Sequence, residues 1–86
     1  MQVVTSKEFD RQFRHLSEKA QKKFAERIKL FFEDIRDPRL NIHKLSGKYE
    51  GLWSFNVTGD IRTIFDSNQK GIVVLVTIGT HSQLYK

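Results

Sequence analysis

The hydrophobic period changes once along this chain, and that change constrains the fold more than any other feature. Before Pro38, apolar residues recur at spacings of three and four: Phe9, Phe13 and Leu16 lie at i, i+4 and i+7, and Ala20, Phe24, Ile28, Phe31 and Ile35 continue the stripe. After the segment HKLSGKYEG the period is two, with Trp53, Phe55 and Val57 alternating with Ser54 and Asn56. Helices come first and strands follow.

Local signals set the ends of these elements. MQVVT reads as a short edge strand. Thr5 or Ser6 can cap the first helix, Thr5 and Glu8 having capping-box spacing, and Ser17 can cap the second. DPRL ends that helix, because Pro38 disfavours helical backbone at Asp37. TGD is a turn, IRTIFD a strand, SNQKG a second turn, and IVVLVTI a nearly all-apolar strand of the sheet-centre type. The order predicts an α+β fold over residues 1–86 as one domain: an N-terminal short strand and a helical hairpin packed on one face of a small antiparallel β-sheet.

A chain of 86 residues buries only about 60% of the surface its unfolded form exposes, so a large internal pocket is not expected and function belongs on an open surface. Cysteine is absent, which removes disulfides and thiolate zinc sites and fits a reducing compartment. No run approaches the roughly 18 apolar residues of a membrane span, and MQVVTSKEF lacks the order of a signal peptide. A cytoplasmic protein with no membrane partner is expected. The formal charge of +5 serves solubility or an anionic partner, and Lys19, Lys22, Lys23, Arg27, Lys29 and Arg36 place most of it on the second helix.

A three-residue loop at Thr58, Gly59 and Asp60 would set Asn56 opposite Arg62. If Phe65 then pairs with Val74, Ile72, Val74, Val76 and Ile78 point toward the helices, and Arg62 lies beside Thr77 on the other face. That face would carry Ser54, Asn56, Arg62 and Thr77, with Ile64 and Leu75 between them and His81 near the edge. One-residue slips would reverse these assignments. An Arg and a His on one open face suit a phosphodiester, since a guanidinium binds phosphate oxygens through two donors and an imidazole moves protons near neutral pH. A solvated sheet face with one surface Arg fits the same spacing.

HKLSGKYEGLWSFNV, GDIRTIFD and VVLVTIGTHSQLY together resemble the RelE/ParE superfamily of bacterial toxins, and within it the YafQ-like branch of RelE-type mRNA interferases. GTHSQLY is similar to the branch's closing motif and HKLSG to its His-x-Leu-x-Gly segment. The resemblance implies a type II toxin–antitoxin toxin that cleaves mRNA on the ribosome, with roles for His43, Asp60 and His81 and with Tyr85 against a base or ribose. Arg62 matches a strand arginine of RelE-type toxins outside this branch. Asn56, Ile61 and Thr77 stand where the branch has a histidine, a tryptophan and an arginine.

Cleavage by internal transfer needs the 2′-hydroxyl deprotonated, charge on phosphorus stabilised and the leaving 5′-oxygen protonated, with acid or base help contributing about 10²–10⁴-fold at one position. His81 is the candidate acid, Asp60 or His43 the candidate base, and Arg62 the candidate phosphate anchor. His43 reads equally as a loop hydrogen-bonding residue, and Asp60 as a turn residue. Lys22, Lys23, Arg27, Lys44 and Lys48 are the candidate RNA contacts. The histidines at 15, 43 and 81, without paired carboxylates at ligand spacing, give no metal set, and no cofactor is expected. The expected partners are a cognate antitoxin in a hetero-oligomer, the ribosome and mRNA. The alternative is a ParE-like toxin that binds a macromolecule and cleaves nothing.

Overall fold

The computed structural model describes residues 1–85. Strand β1 (Gln2–Thr5) leads to helices α1 (Lys7–Arg14) and α2 (Glu18–Glu33), then strands β2 (His43–Lys44), β3 (Trp53–Asn56), β4 (Ile61–Asp66) and β5 (Ile72–Thr80). A single helical turn, α3 (His81–Leu84), closes the described chain. The expected α+β class holds, with one addition: β1 joins the five-stranded sheet, ordered β1-β5-β4-β3-β2, as a parallel neighbour of β5.

Serine caps start both long helices. Ser6 accepts a hydrogen bond from Phe9 N at 2.9 Å, and Ser17 accepts one from Ala20 N at 3.1 Å, each satisfying a backbone donor that the first turn leaves open. The Thr5–Glu8 box is not used, because Thr5 is the last residue of β1. At its other end α2 stops at Glu33, two residues before the expected stripe ends. Asp34 leaves helical geometry at φ −154° and its carboxylate accepts from Arg36 N at 3.1 Å, a local bond that competes with the helix ladder. Ile35 is therefore exposed and not part of the core.

The first hairpin has the expected register, Asn56 opposite Arg62, with Val57 N bonded to Ile61 O at 2.8 Å. The second does not. Phe65 pairs with Leu75 in place of Val74, and a bulge between Ile64 and Phe65 sets Ile64 opposite Thr77, passing over Val76. Near the turn this reverses the alternation, so Val73 and Leu75 point toward the helices and Ile72 and Val74 do not. Past the bulge the second one-residue shift restores it: Ile78 joins the core as expected, and Arg62 lies beside Gly79, not Thr77. Parity at the site survives two cancelling slips.

Phenylalanines join the layers. Phe31, 1% exposed, has its ring centroid 5.4 Å from Phe55 and 5.3 Å from Phe65, while Phe9 and Phe13 meet Phe24 at 5.6 and 5.2 Å. Burying one such side chain is worth about 1.5–3 kcal/mol. Beyond β1 the open edge of β5 is closed by side chains: Ser6 Oγ donates to Val76 O at 2.6 Å, and Gln12 Oε1 accepts from Ile78 N at 2.9 Å and from Thr77 Oγ1 at 3.0 Å. Opposite Ile64, Thr77 stays on the face that carries Arg62, as expected, with its hydroxyl tied to Gln12 of α1.

Candidate active site

The chain after β5 turns back over the sheet face that α1 and α2 leave uncovered. Thr80 and Gln83 form a capping box, Thr80 N donating to Gln83 Oε1 at 2.9 Å and Gln83 N donating to Thr80 Oγ1 at 3.2 Å. Gly79 permits the close return: a Cβ there would lie 2.8 Å from Gln83 Oε1 and 3.6 Å from a Leu84 methyl. Leu84 and Ile64 are buried but lie outside the helix-side core. The spacing Thr-x-x-Gln at Thr80 and Gln83 is the signal for α3 in the sequence.

Directly opposed residues of antiparallel strands point to the same side. The pairs Arg62–Asn56 and Arg62–Gly79 therefore put the Arg62 side chain on the face where α3 lies. His43 pairs with Ser54, two residues from Asn56, so its ring shares that face. His81 opens α3 with its ring exposed, and its backbone N–H donates to Asp60 O at 3.2 Å, which brings the two backbones together just before β4 begins. His43 and Arg62 thus share one open face with α3, and the backbone of Asp60 meets that of His81 at its margin.

Each has a definite environment. The half-buried Arg62 donates from Nη1 to Asn56 Oδ1 at 2.6 Å, using one of its five N–H groups. His43 Nδ1 lies 2.9 Å from Asn41 O. A carbonyl only accepts, so Nδ1 carries the proton and Nε2 of the neutral ring is left as an acceptor. The hydrogen-bonding role and the base role weighed for His43 in the sequence are thus compatible. Tyr85 lies against His81 with ring centroids 4.7 Å apart and the rings tilted by 33°, and Tyr49 meets Tyr85 edge-on at 5.5 Å and 88°.

The predicted RNA contacts separate into groups. Lys48 belongs to the site, its Nζ 3.4 Å from Leu84 O. Lys44 pairs with Trp53 and so falls on the opposite side from His43. Lys22, Lys23 and Arg27 ride on α2, across the sheet from Arg62, and two of them pair with carboxylates on the same helix: Lys22 with Glu18 at 3.6 Å and Lys23 with Glu26 at 3.7 Å. The sequence reading missed Tyr49, whose contact with α3 spans 35 positions and leaves no local signal. Among the described residues no group of three or more His, Asp or Glu side chains is placed to hold a metal ion, and no helix is long and apolar enough to cross a membrane.

Residues 1–86 match the family model described as the bacterial toxin of the type II toxin–antitoxin system, YafQ. The chain belongs to the YafQ toxin family. Membership makes it a type II toxin–antitoxin toxin. The crystal structure of YafQ from E. coli strain BL21(DE3) superposes with a TM-score of 0.76 at 18% identity, over 98% of this chain and 97% of that one. The E. coli DinJ–YafQ complex gives 0.74 at 19% identity, over 98% and 97%. A YoeB/ParE toxin from Agrobacterium tumefaciens gives 0.76 at 15% identity, over 94% and 99%. At these identities the structures speak for a shared fold. No curated protein matches the chain.

Proposed function

We propose that this YafQ-family toxin is an endoribonuclease that cleaves mRNA on the ribosome, in the cytoplasm, and that an antitoxin holds it inactive in a hetero-oligomer. The observation that supports this reading most is the order across the uncovered face: His43 on β2, Arg62 on β4, and His81 beyond β5.

In-line displacement at phosphorus requires the entering and leaving oxygens on opposite sides. A phosphate on Arg62 has the free Nε2 of His43 on one flank and the exposed imidazole of His81 on the other. His43 is about 10 Å away laterally by strand spacing, near enough for two side chains to meet across one nucleotide. His43 Nε2 takes the 2′-hydroxyl proton, the O2′–P bond forms as P–O5′ breaks, and His81 delivers a proton to the 5′-oxygen. The products are a 2′,3′-cyclic phosphate and a 5′-hydroxyl. Arg62 meets the charge that develops on phosphorus, and Asp60 borders His81. Tyr85 offers a base a stacking face. On the opposite side, Lys22, Lys23 and Arg27 suit ribosomal RNA phosphates, a contact that weakens steeply with salt. The partner is proposed from the DinJ–YafQ complex, in which a relative of the same fold is bound to DinJ.

The test is a translation extract with one defined mRNA and purified toxin. Cleavage is expected only with ribosomes present, at sites carrying 5′-hydroxyl ends. Message left intact on ribosomes, together with a blocked gyrase reaction, would replace this reading with the ParE-like one.

A further inference from the structure

Tyr49, in the turn Gly47–Tyr49, takes no part in the chemistry above, yet it reaches the far end of α3. Tyr49 Oη donates to Leu84 O at 2.8 Å, and Lys48 Nζ reaches the same oxygen at 3.4 Å. Leu84 O is among the last carbonyls of α3, which have no partner within the helix. The Tyr49 ring, half-buried, also stands edge-on against Tyr85, which in turn packs at a tilt against His81.

A one-turn helix does not hold itself, because the cost of the first turn is not recovered by later ones. Its position must be imposed from outside. The front of α3 is held by the capping box and by His81 N on Asp60 O, and its underside by the buried Leu84. Tyr49 holds the rear, from the turn between β2 and β3, which β4 separates from β5, and contacts both the backbone of α3 and the ring beside His81.

We propose that Tyr49 is a positioning residue for His81: it fixes the rear of α3 and the Tyr85 ring, and through them the direction in which the imidazole faces the leaving oxygen. The proposal rests on reading His81 as the proton donor. Misplacing a reacting group by about 1 Å can cost about 10²-fold in rate. Tyr49→Phe, which keeps the ring and removes the hydroxyl, is expected to lower the single-turnover cleavage rate about 3–10-fold, and Tyr49→Leu about 10–100-fold. KM should stay within about twofold, since neither change removes a phosphate contact.

The deciding experiment pairs these rates with NMR of histidine-labelled toxin. In both variants the His81 ring signals should shift or broaden, while the His15 signals, from the far end of α1, stay at wild-type values and unfolding stays cooperative. Unchanged rates in both variants overturn the proposal. A fallen rate with unmoved His81 signals also overturns it, by showing that Tyr49 touches RNA itself. Should wild-type toxin cut nothing, the nuclease reading fails, and the NMR arm still decides the clamp: unmoved His81 signals in Tyr49→Phe, the milder variant, end it.

Discussion

Asn56 Oδ1 accepts a 2.6 Å hydrogen bond from Arg62 Nη1 across the β3–β4 hairpin. Asn56, where the resemblance leads one to expect a histidine, is thus the side chain that holds the guanidinium. Flexible arginines carry about 2 kcal/mol of rotamer entropy, and a tether made before substrate arrives removes part of that cost from binding.

Asn56→Ala should therefore lower mRNA cleavage by about 10-fold while leaving the fold intact. Asn56→Asp should be worse, because a carboxylate would pair with Arg62 and repel phosphate. Single-turnover rates for the two variants check this, with Arg62→Ala as the floor. An Asn56→Ala toxin that cuts at the wild-type rate would show that Arg62 needs no tether.

His81 is exposed and lies outside the core, so its side chain supports little of the fold. His81→Ala should reduce cleavage by about 10²–10⁴-fold and relieve growth inhibition, with the melting temperature and antitoxin affinity unchanged. A stable His81→Ala protein that still arrests growth would take the imidazole out of the chemistry.

How much of this was legible beforehand depends on how local each cause is. The serine caps, the helical stripe up to Phe31 and the Asn56–Arg62 pairing follow from spacings of a few residues, and they appear as expected. The register of β5 was not legible, because a bulge at Val76 carries no mark in an all-apolar run and depends on what packs on either face. Ile35 was misplaced because two aspartates and a proline end α2 early through their own hydrogen bonds and backbone limits. Tyr49 reaches α3 through tertiary contact alone.

Thr63 is fully buried on the helix side of β4, and its Oγ1 has no hydrogen-bond partner among the described residues. An unsatisfied buried hydroxyl costs about 1–3 kcal/mol, whereas valine has nearly the same shape and no polar group. Thr63→Val should raise stability by about 1 kcal/mol, read as a higher urea midpoint at unchanged slope. A lower midpoint would mean that the hydroxyl is satisfied in solution.

Asp37 caps the turn Pro38–Leu40 and pairs with Arg39 at 2.8 Å. Hydrogen bonds from the Arg39 side chain, then from its backbone N–H, hold the Asp37 carboxyl at about 2, below its ordinary 3.8. A depressed folded-state value stabilises the fold above the unfolded value, and the contribution disappears as pH falls through the folded one. Asp37→Asn keeps the capping oxygen but loses the charge. The gap in melting temperature between wild type and Asp37→Asn should stay constant from pH 7 to about 5, narrow below about 4, and close near 2. A gap that persists undiminished at pH 2 would assign the effect of Asp37 to its cap geometry and not to its ionisation.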